Sequence, residues 1–321
     1  MNLSAIVCTY RRAEALERCL AAFAEQRASP PFEVLVVDND PDRSAREVCR
    51  RFEGGSFPVR HVAASRPRNL PAARNEGIAA SAAPIVGFLD DDSVPAPDWV
   101  AETVHAHGEN AGAAAIGGRV IPLAMRPRIP PRPAGDAPIG RLLAFGRFTG
   151  NFDLDPGRPV PVDTVTGCNM TAKRGAFELV GGFDPAYEGT TVREETDWCV
   201  RARRCGLLLL LDPRIVAWHG DDPRGGSRPE NGESYDLYKA YWDARNGTYF
   251  LRKNAGAGAA LGFWAASLAA AALGRNFFQR FRTARARWAA ARSLLRGFRD
   301  GGGIPVERGP RPATTPTSDP A

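Results

Sequence analysis

The stretch that most constrains this chain is residues 85–93. Ile85-Val86-Gly87-Phe88-Leu89 is a short apolar run between Pro84 and Pro95, and it stops abruptly at three carboxylates, Asp90-Asp91-Asp92. An apolar run of this length with such boundaries reads as a buried strand. Three adjacent acids at its end repel one another and are costly to hold beside apolar residues unless a cation or hydrogen-bond donors offset the charge. A hard divalent ion that also meets phosphate oxygens would do so. The plainer alternative is a solvated acidic turn capping a helix at Pro97.

The flanking sequence alternates strand and helix patterns. Residues 4–8 form a short apolar strand, and Leu16, Cys19, Leu20 and Phe23 then recur at the i, i+3, i+4, i+7 spacing of a buried helix face. The run Val34-Leu35-Val36-Val37 ends in Asp38-Asn39-Asp40. A third strand is expected over residues 59–62, a helix from about Pro71 to Ala82, then the acid-tipped strand and a helix through Trp99, Val100 and Val104. This order predicts an α/β chain with a mostly parallel sheet flanked by helices. In such sheets ligands gather at the carboxyl ends of the strands, which here carry Thr9-Tyr10-Arg11, Asp38-Asn39-Asp40 and Asp90-Asp91-Asp92.

With 321 residues and 44% hydrophobic composition, the chain can bury a core and hold one large or two modest domains. Its net charge of +6 comes almost wholly from arginine, since only Lys173, Lys239 and Lys253 are lysines. Arginine favours phosphate and carboxylate partners. Six cysteines without a CxxC pair sit in apolar runs as small buried hydrophobes, which predicts a reducing, cytoplasmic setting. The N-terminus enters a strand directly, without the pattern of a secretory signal.

Residues 122–161 are rich in Pro and Arg and lack periodicity, so they read as a mobile substrate-facing loop or a disordered insertion. Regular structure resumes at Val165, with a short helix over residues 174–180 ended by Gly181-Gly182. A second acidic cluster, Glu194-Glu195-Thr196-Asp197, opens a helix, where carboxylates also suit the macrodipole. An apolar strand over 207–211 and a further run, Ile215 to Trp218, then lead to His219; a lone His there reads first as structural.

Seven segments in one order give the chain a family resemblance: SAIVCTY (4–10), VVDN (36–39), ARNEG (73–77), FLDDD (88–92), GGFD (181–184), EETDW (194–198) and VAWH (216–219). Over residues 3–250 it resembles the family 2 glycosyltransferases of the GT-A (Rossmann-like) fold. The resemblance implies transfer of a sugar from a nucleotide-diphosphate sugar to a hydroxyl of a glycan or lipid-linked acceptor, with inversion. Thr9 and Asp38 then stand where the family contacts the nucleobase, Arg74 where it contacts the nucleotide and Asp90 at the acid near the ribose, with Tyr10 and Asp91 also at the donor. Asp92, with Asp90 and His219, matches the ligands of Mg²⁺ or Mn²⁺, which replaces the structural reading of His219. Glu195 stands at the general base, where the family usually has Asp, and this departure leaves Glu194 and Asp197 as rivals. The chemistry agrees: a departing diphosphate develops negative charge that a divalent ion stabilises, and a hydroxyl nucleophile needs a carboxylate within about 3 Å of its proton.

At the end of the expected catalytic region 1–250, Tyr249 and Phe250 follow an aromatic stripe that reads as core. Residues 255–274 carry no charge; their length permits a membrane span, but their Ala- and Gly-rich composition opposes one. Arginines then interleave with Phe277, Phe278, Phe281 and Trp288, as suits a helix lying on an anionic membrane surface. Residues 251–300 are therefore expected to be a helical membrane-associating extension at the inner face of the cell membrane, and 301–321 a disordered tail. A nucleotidyltransferase would carry a Gly-rich phosphate loop near the N-terminus, which this sequence lacks, and no nucleic-acid module accompanies the arginines. A non-catalytic nucleotide-sugar-binding or scaffold protein is the alternative from another class.

Overall fold

A computed structural model of the chain describes residues 1–144, 147–220, 225–273, 279–281 and 283–306. Its first half alternates as the sequence predicts: β1 (Leu3–Thr9), α1 (Ala13–Ala24), β2 (Phe32–Asp38), α2 (Arg46–Arg50), β3 (Val59–Ala63), α3 (Leu70–Ala80) and β4 (Ile85–Asp90). Strands β3, β2, β1 and β4 pair in that order, all parallel. Leu16, Cys19, Leu20 and Phe23 are buried as one face of α1. Burying side chains of this size stabilises the fold by about 1.5–3 kcal/mol each. Asn69 caps α3 by accepting from Ala72 N at 2.9 Å, and Pro71 sits in the first turn, where its missing N–H costs nothing.

Past β4 the chain forms β5 (Ser93–Pro95), α4 (Trp99–Glu109), β6 (Ala113–Pro122), β7 (Val160–Pro161), β8 (Asn169–Lys173), α5 (Arg174–Val180), α6 (Glu194–Arg204) and β9 (Leu208–His219). The sheet becomes mixed here: β8 lies antiparallel between β4 and β6, β6 runs parallel to β9, and β5 pairs antiparallel with the end of β9. Gly87 in β4 leaves room for the Trp99 ring, because a Cβ there would stand 2.8 Å from it. The two apolar runs expected around residues 207–218 are one strand. Its pairing with β6 shifts register between Gly118 and Arg119, so residues 213–215, after Asp212, bulge out and pairing resumes at Val216.

Apart from residues 145 and 146, which lie outside the described residues, the Pro- and Arg-rich segment is structured. A short 3₁₀ turn (Leu123–Met125) starts it, Pro133 bridges Asp155, and the buried Arg119 guanidinium donates to the carbonyls of Pro130 and Asp153. Ile139 and Val162 enter the core. Backbone groups that the sequence leaves without periodic partners find them across this excursion.

The chain ends in three helices: α7 (Tyr235–Asn254), α8 (Ala257–Leu273) and α9 (Ala284–Gly303). Tyr249 and Phe250 are buried, as the aromatic stripe predicts. Ala290, Leu294 and Phe298, one face of α9, close a separate core with Ala240 and Ala244 of α7. Phe281 is buried, while Trp288, Leu295, Leu261 and Leu273 are exposed. Among the described residues no helix is long and apolar enough to cross a membrane. Arg275, Phe277 and Phe278 lie outside the described residues, as do 307–321, whereas residues 301–303 complete α9.

Candidate active site

The acids at the end of β4 divide by environment. Asp91 turns inward, accepting from Thr9 Oγ1 at 2.8 Å and from Arg12 Nη1 at 3.0 Å. Burial raises its carboxyl and Arg12 only partly opposes this, leaving it up at about 7. Asp92 is also buried, with Oδ2 on Arg12 Nη1 at 3.1 Å. Asp90, by contrast, is one-third exposed at the strand tip.

His219 joins this group through sheet register. In the β5/β9 pairing Ser93 faces His219, and Gly220 N donates to Asp92 O at 3.0 Å. His219 Nε2 consequently lies 3.2 Å from Asp92 Oδ1 and 3.6 Å from Asp90 Oδ2. Burial works against a charged imidazole, but its contacts to Asp90 and Asp92 outweigh that and lift its pKa to about 11. Burial likewise works against an ionised Asp90, and the His219 contact and Arg74 charge hold it down at about 2. Asp92 Oδ1 is out of solvent and makes no hydrogen bond among the described residues. Two carboxylates beside one imidazole offer the oxygen and nitrogen donors that suit a divalent cation.

Arg74 ties this cluster to the second one. Its guanidinium reaches Asp90 Oδ1 and the Gly167 carbonyl at 3.3 and 3.2 Å, forms a close ion pair with Glu194 Oε1, and lies near the Phe88 and Phe183 rings. A Cβ on Gly167 would stand 2.5 Å from Arg74 Nη2, so only glycine admits the guanidinium here. Glu194 is buried, with Oε2 making no hydrogen bond among the described residues, while its neighbour Glu195 is half-buried. Burial raises the Glu195 carboxyl, and Arg74 opposes the rise.

Two expected site residues are not brought to this group. Asp197 is fully buried on the far side of α6, receiving Arg201 Nε and Lys253 Nζ at 2.9 Å and Asn254 Nδ2 at 2.8 Å. Its oxygens anchor α7, which removes it as a rival base. Asp38 is also fully buried: Oδ1 accepts from Asp40 N, and Oδ2 from Ala45 N with His61 Nε2 at 3.1 Å. These contacts brace the turn after β2 and keep Asp38 off the cavity wall. Its neighbour Asn39 is there instead, with a buried Oδ1 that has no hydrogen bond among the described residues. Arg74 is internal too, joining the acidic clusters.

A cavity of about 180 Å³ opens beside the cluster, lined by Thr9, Tyr10, Arg12, Asn39, Asp90 and Asp91 among others. It adjoins a second hollow of about 500 Å³ that includes Arg66, Tyr238 and Trp242 and shares Arg68 and Ser227 with it. The stretch after His219 closes one side: Gly226 N donates to Tyr10 O at 2.9 Å, and Glu230 accepts from Tyr10 Oη at 2.6 Å, Arg11 Nη1 at 2.9 Å and Arg68 Nη1 at 3.2 Å. Arg12 and Glu230 did not stand out in the sequence, and Asn39 was legible only as part of the polar end of β2. The Arg11-Arg12 pair directly after Thr9-Tyr10 was the available signal for the first.

A mixed sheet flanked by helices in this order is similar to the GT-A glycosyltransferase structures. The mannosyltransferase PcManGT from Pyrobaculum calidifontis, solved with GDP-Man and Mn²⁺, superposes with a TM-score of 0.58 at 18% identity, covering 94% of this chain and 87% of that one. The chain belongs to glycosyl transferase family 2, whose model matches residues 4–180. Among curated relatives, validoxylamine A glucosyltransferase of Streptomyces hygroscopicus subsp. limoneus is 29% identical over 204 residues, 58% of this chain and 45% of that protein. Glucosyl-dolichyl phosphate glucuronosyltransferase of Haloferax volcanii is 28% identical over 189 residues, 57% and 56% of the respective chains. This chain thus spans about half the length of these relatives.

Proposed function

We propose that the chain transfers a sugar from a nucleotide-diphosphate sugar to a hydroxyl of a glycan or lipid-linked acceptor, with inversion at the anomeric carbon. The observation that carries this reading is the contact of His219 Nε2 with both Asp90 and Asp92 at the sheet edge, with Arg74 tying Asp90 to Glu194. Thr9, Tyr10 and Asn39 line the cavity for the nucleotide, and Asp90 stands at its edge. Asp92, Asp90 and His219 would hold Mg²⁺ or Mn²⁺. Such an ion, when bound, neutralises charge on the diphosphate leaving group. Arg12 fixes Asp91 and Asp92 in place by bridging them.

Glu195 takes the acceptor proton as general base. Burial raises its carboxyl and makes it a stronger base than an exposed glutamate, while Arg74 opposes the rise. A single base acting on a hydroxyl that attacks in line gives inversion. Residues 1–250 form the catalytic unit, and 251–300 place it on an anionic membrane at the cytoplasmic face. The exposed Trp288 and Leu295 of α9, with Arg285, Arg292 and Arg296 on the same helix, support that placement.

The deciding experiment is a thermal-shift panel of UDP, GDP, dTDP and CMP with and without Mn²⁺, followed by donor-consumption assays. A metal-dependent rise with one nucleotide diphosphate is expected, since a ligand of the folded state raises the melting temperature. No rise with any nucleotide refutes the donor site. A rise without donor turnover on any hydroxyl acceptor favours a non-catalytic binding protein.

A further inference from the structure

The β4/β8 ladder brings another donor to the His219 cluster. Leu89 pairs with Asn169 in this antiparallel register, so the next step places Cys168, in the turn before β8, across from Asp90. Cys168 Sγ, a carboxylate oxygen of Asp90 and a ring nitrogen of His219 all lie within 4.8 Å of one another. Cys168 is only 9% exposed, and its other sulfur contact is Thr166 Oγ1 at 3.5 Å. Cys168, Asp90 and His219 thus bring one sulfur, one carboxylate oxygen and one ring nitrogen together, and Asp92 Oδ1 lies 3.2 Å from the same His219 Nε2. That donor set is softer than carboxylate and imidazole alone.

We propose that Cys168 is a direct ligand of the cation site, so that the site holds thiophilic divalent ions such as Zn²⁺ and Co²⁺ more tightly than Mg²⁺. Thiolate and imidazole favour the former, whereas Mg²⁺ takes oxygen ligands in near-octahedral geometry. Binding forms an Sγ–metal bond and releases the thiol proton to solvent, so charge and atoms balance without a redox partner. The inference rests on the metal site of the proposed function. It has a consequence that reading lacks: Zn²⁺ competes with Mn²⁺ and Mg²⁺ for the same residues.

The test uses the full chain, stripped of metal and kept reduced with a phosphine, titrated with Co²⁺ and followed by near-ultraviolet absorption. A sulfur-to-cobalt charge-transfer band is expected in the wild type. It should vanish in Cys168→Ser and Cys168→Ala and persist in Cys8→Ser, which alters the thiol lining the neighbouring cavity. By calorimetry, Zn²⁺ affinity should fall about tenfold or more in Cys168→Ser, and Mg²⁺ affinity should stay nearly constant. Cobalt binding without the band, no cobalt binding at all, a band that survives in Cys168→Ser, or equal Zn²⁺ affinity in the two proteins overturns the assignment. The wild-type spectrum decides even if the variants fail to fold. Failure of the transferase reading is separate: nucleotide diphosphates then do not bind with Mn²⁺, whatever the cobalt spectrum shows.

Discussion

His107 makes a quantitative test of how this sheet is packed. It is 4% exposed on α4, with its ring against β8, and Nε2 lies 2.9 Å from Thr171 Oγ1. The Thr171 hydroxyl gives its one proton to the Ile116 carbonyl at 2.8 Å, so its oxygen must accept from His107, which fixes the Nε2–H tautomer. Nδ1 is then a buried acceptor with no partner. Protonating it would bury a cation without an acceptor, and burial, aided by the Lys173 charge, lowers the pKa from 6.5 to about 4. The unfolded chain therefore binds a proton between those values that the folded chain refuses, and stability is lost as pH falls from about 6.5 to about 4. At about 1.4 kcal/mol per tenfold change in proton affinity, the loss comes to about 3 kcal/mol. Gln at this position retains an N–H donor and does not titrate. Urea unfolding at about pH 7 and about pH 4 should show the wild type losing about 3 kcal/mol more than His107→Gln, since both share the acid sensitivity of the carboxylates. Equal losses in the two proteins would refute the argument.

Four further outcomes are expected. Glu195→Gln should lower transfer by about 10²- to 10⁴-fold while leaving donor affinity intact; transfer near the wild-type rate removes Glu195 as the base. Asp92→Asn should abolish metal-dependent donor binding in calorimetry, and an unchanged metal dependence would exclude it as a ligand. Gly167→Ala drives a methyl group into the Arg74 guanidinium and separates it from Glu194 and Asp90, so unfolding should show a cost of about 3 kcal/mol or more; wild-type stability would mean that Arg74 adapts. The full chain should co-sediment with anionic vesicles at low salt and less so after Trp288→Ala, whereas indifference to that variant would place the membrane contact elsewhere, if it exists.

Much of the first half was legible because its pattern is local. Apolar runs that end in polar residues, and the spacing of Leu16, Cys19, Leu20 and Phe23, identify strands and helix faces from neighbours in the chain. The convergence of Thr9 and the Asp90-Asp91-Asp92 acids on one sheet edge follows from parallel order alone. The bulged strand β9 reads as two pieces in the sequence because the break between Asp212 and Val216 is a departure from pairing with β6, a partner about a hundred residues away. The arrangement of residues 122–161 depends likewise on partners such as the buried Arg119, which no periodicity announces.

The amino-acid sequence by itself determined the fold class, the family resemblance and the residues able to carry the chemistry, because these depend on composition and order. Only the tertiary structure separated residues that look equivalent in the chain. Glu195 and Asp197 stand two positions apart on α6, yet one is half-buried near Arg74 and the other is consumed by Arg201, Lys253 and Asn254. Asp38 and Asn39 are split in the same way between a braced turn and a cavity wall. His219 meets Asp92, and Cys168 meets Asp90, because antiparallel registers between distant strands place them face to face. Side-chain direction and cross-strand partners are properties of packing, and a linear pattern carries neither.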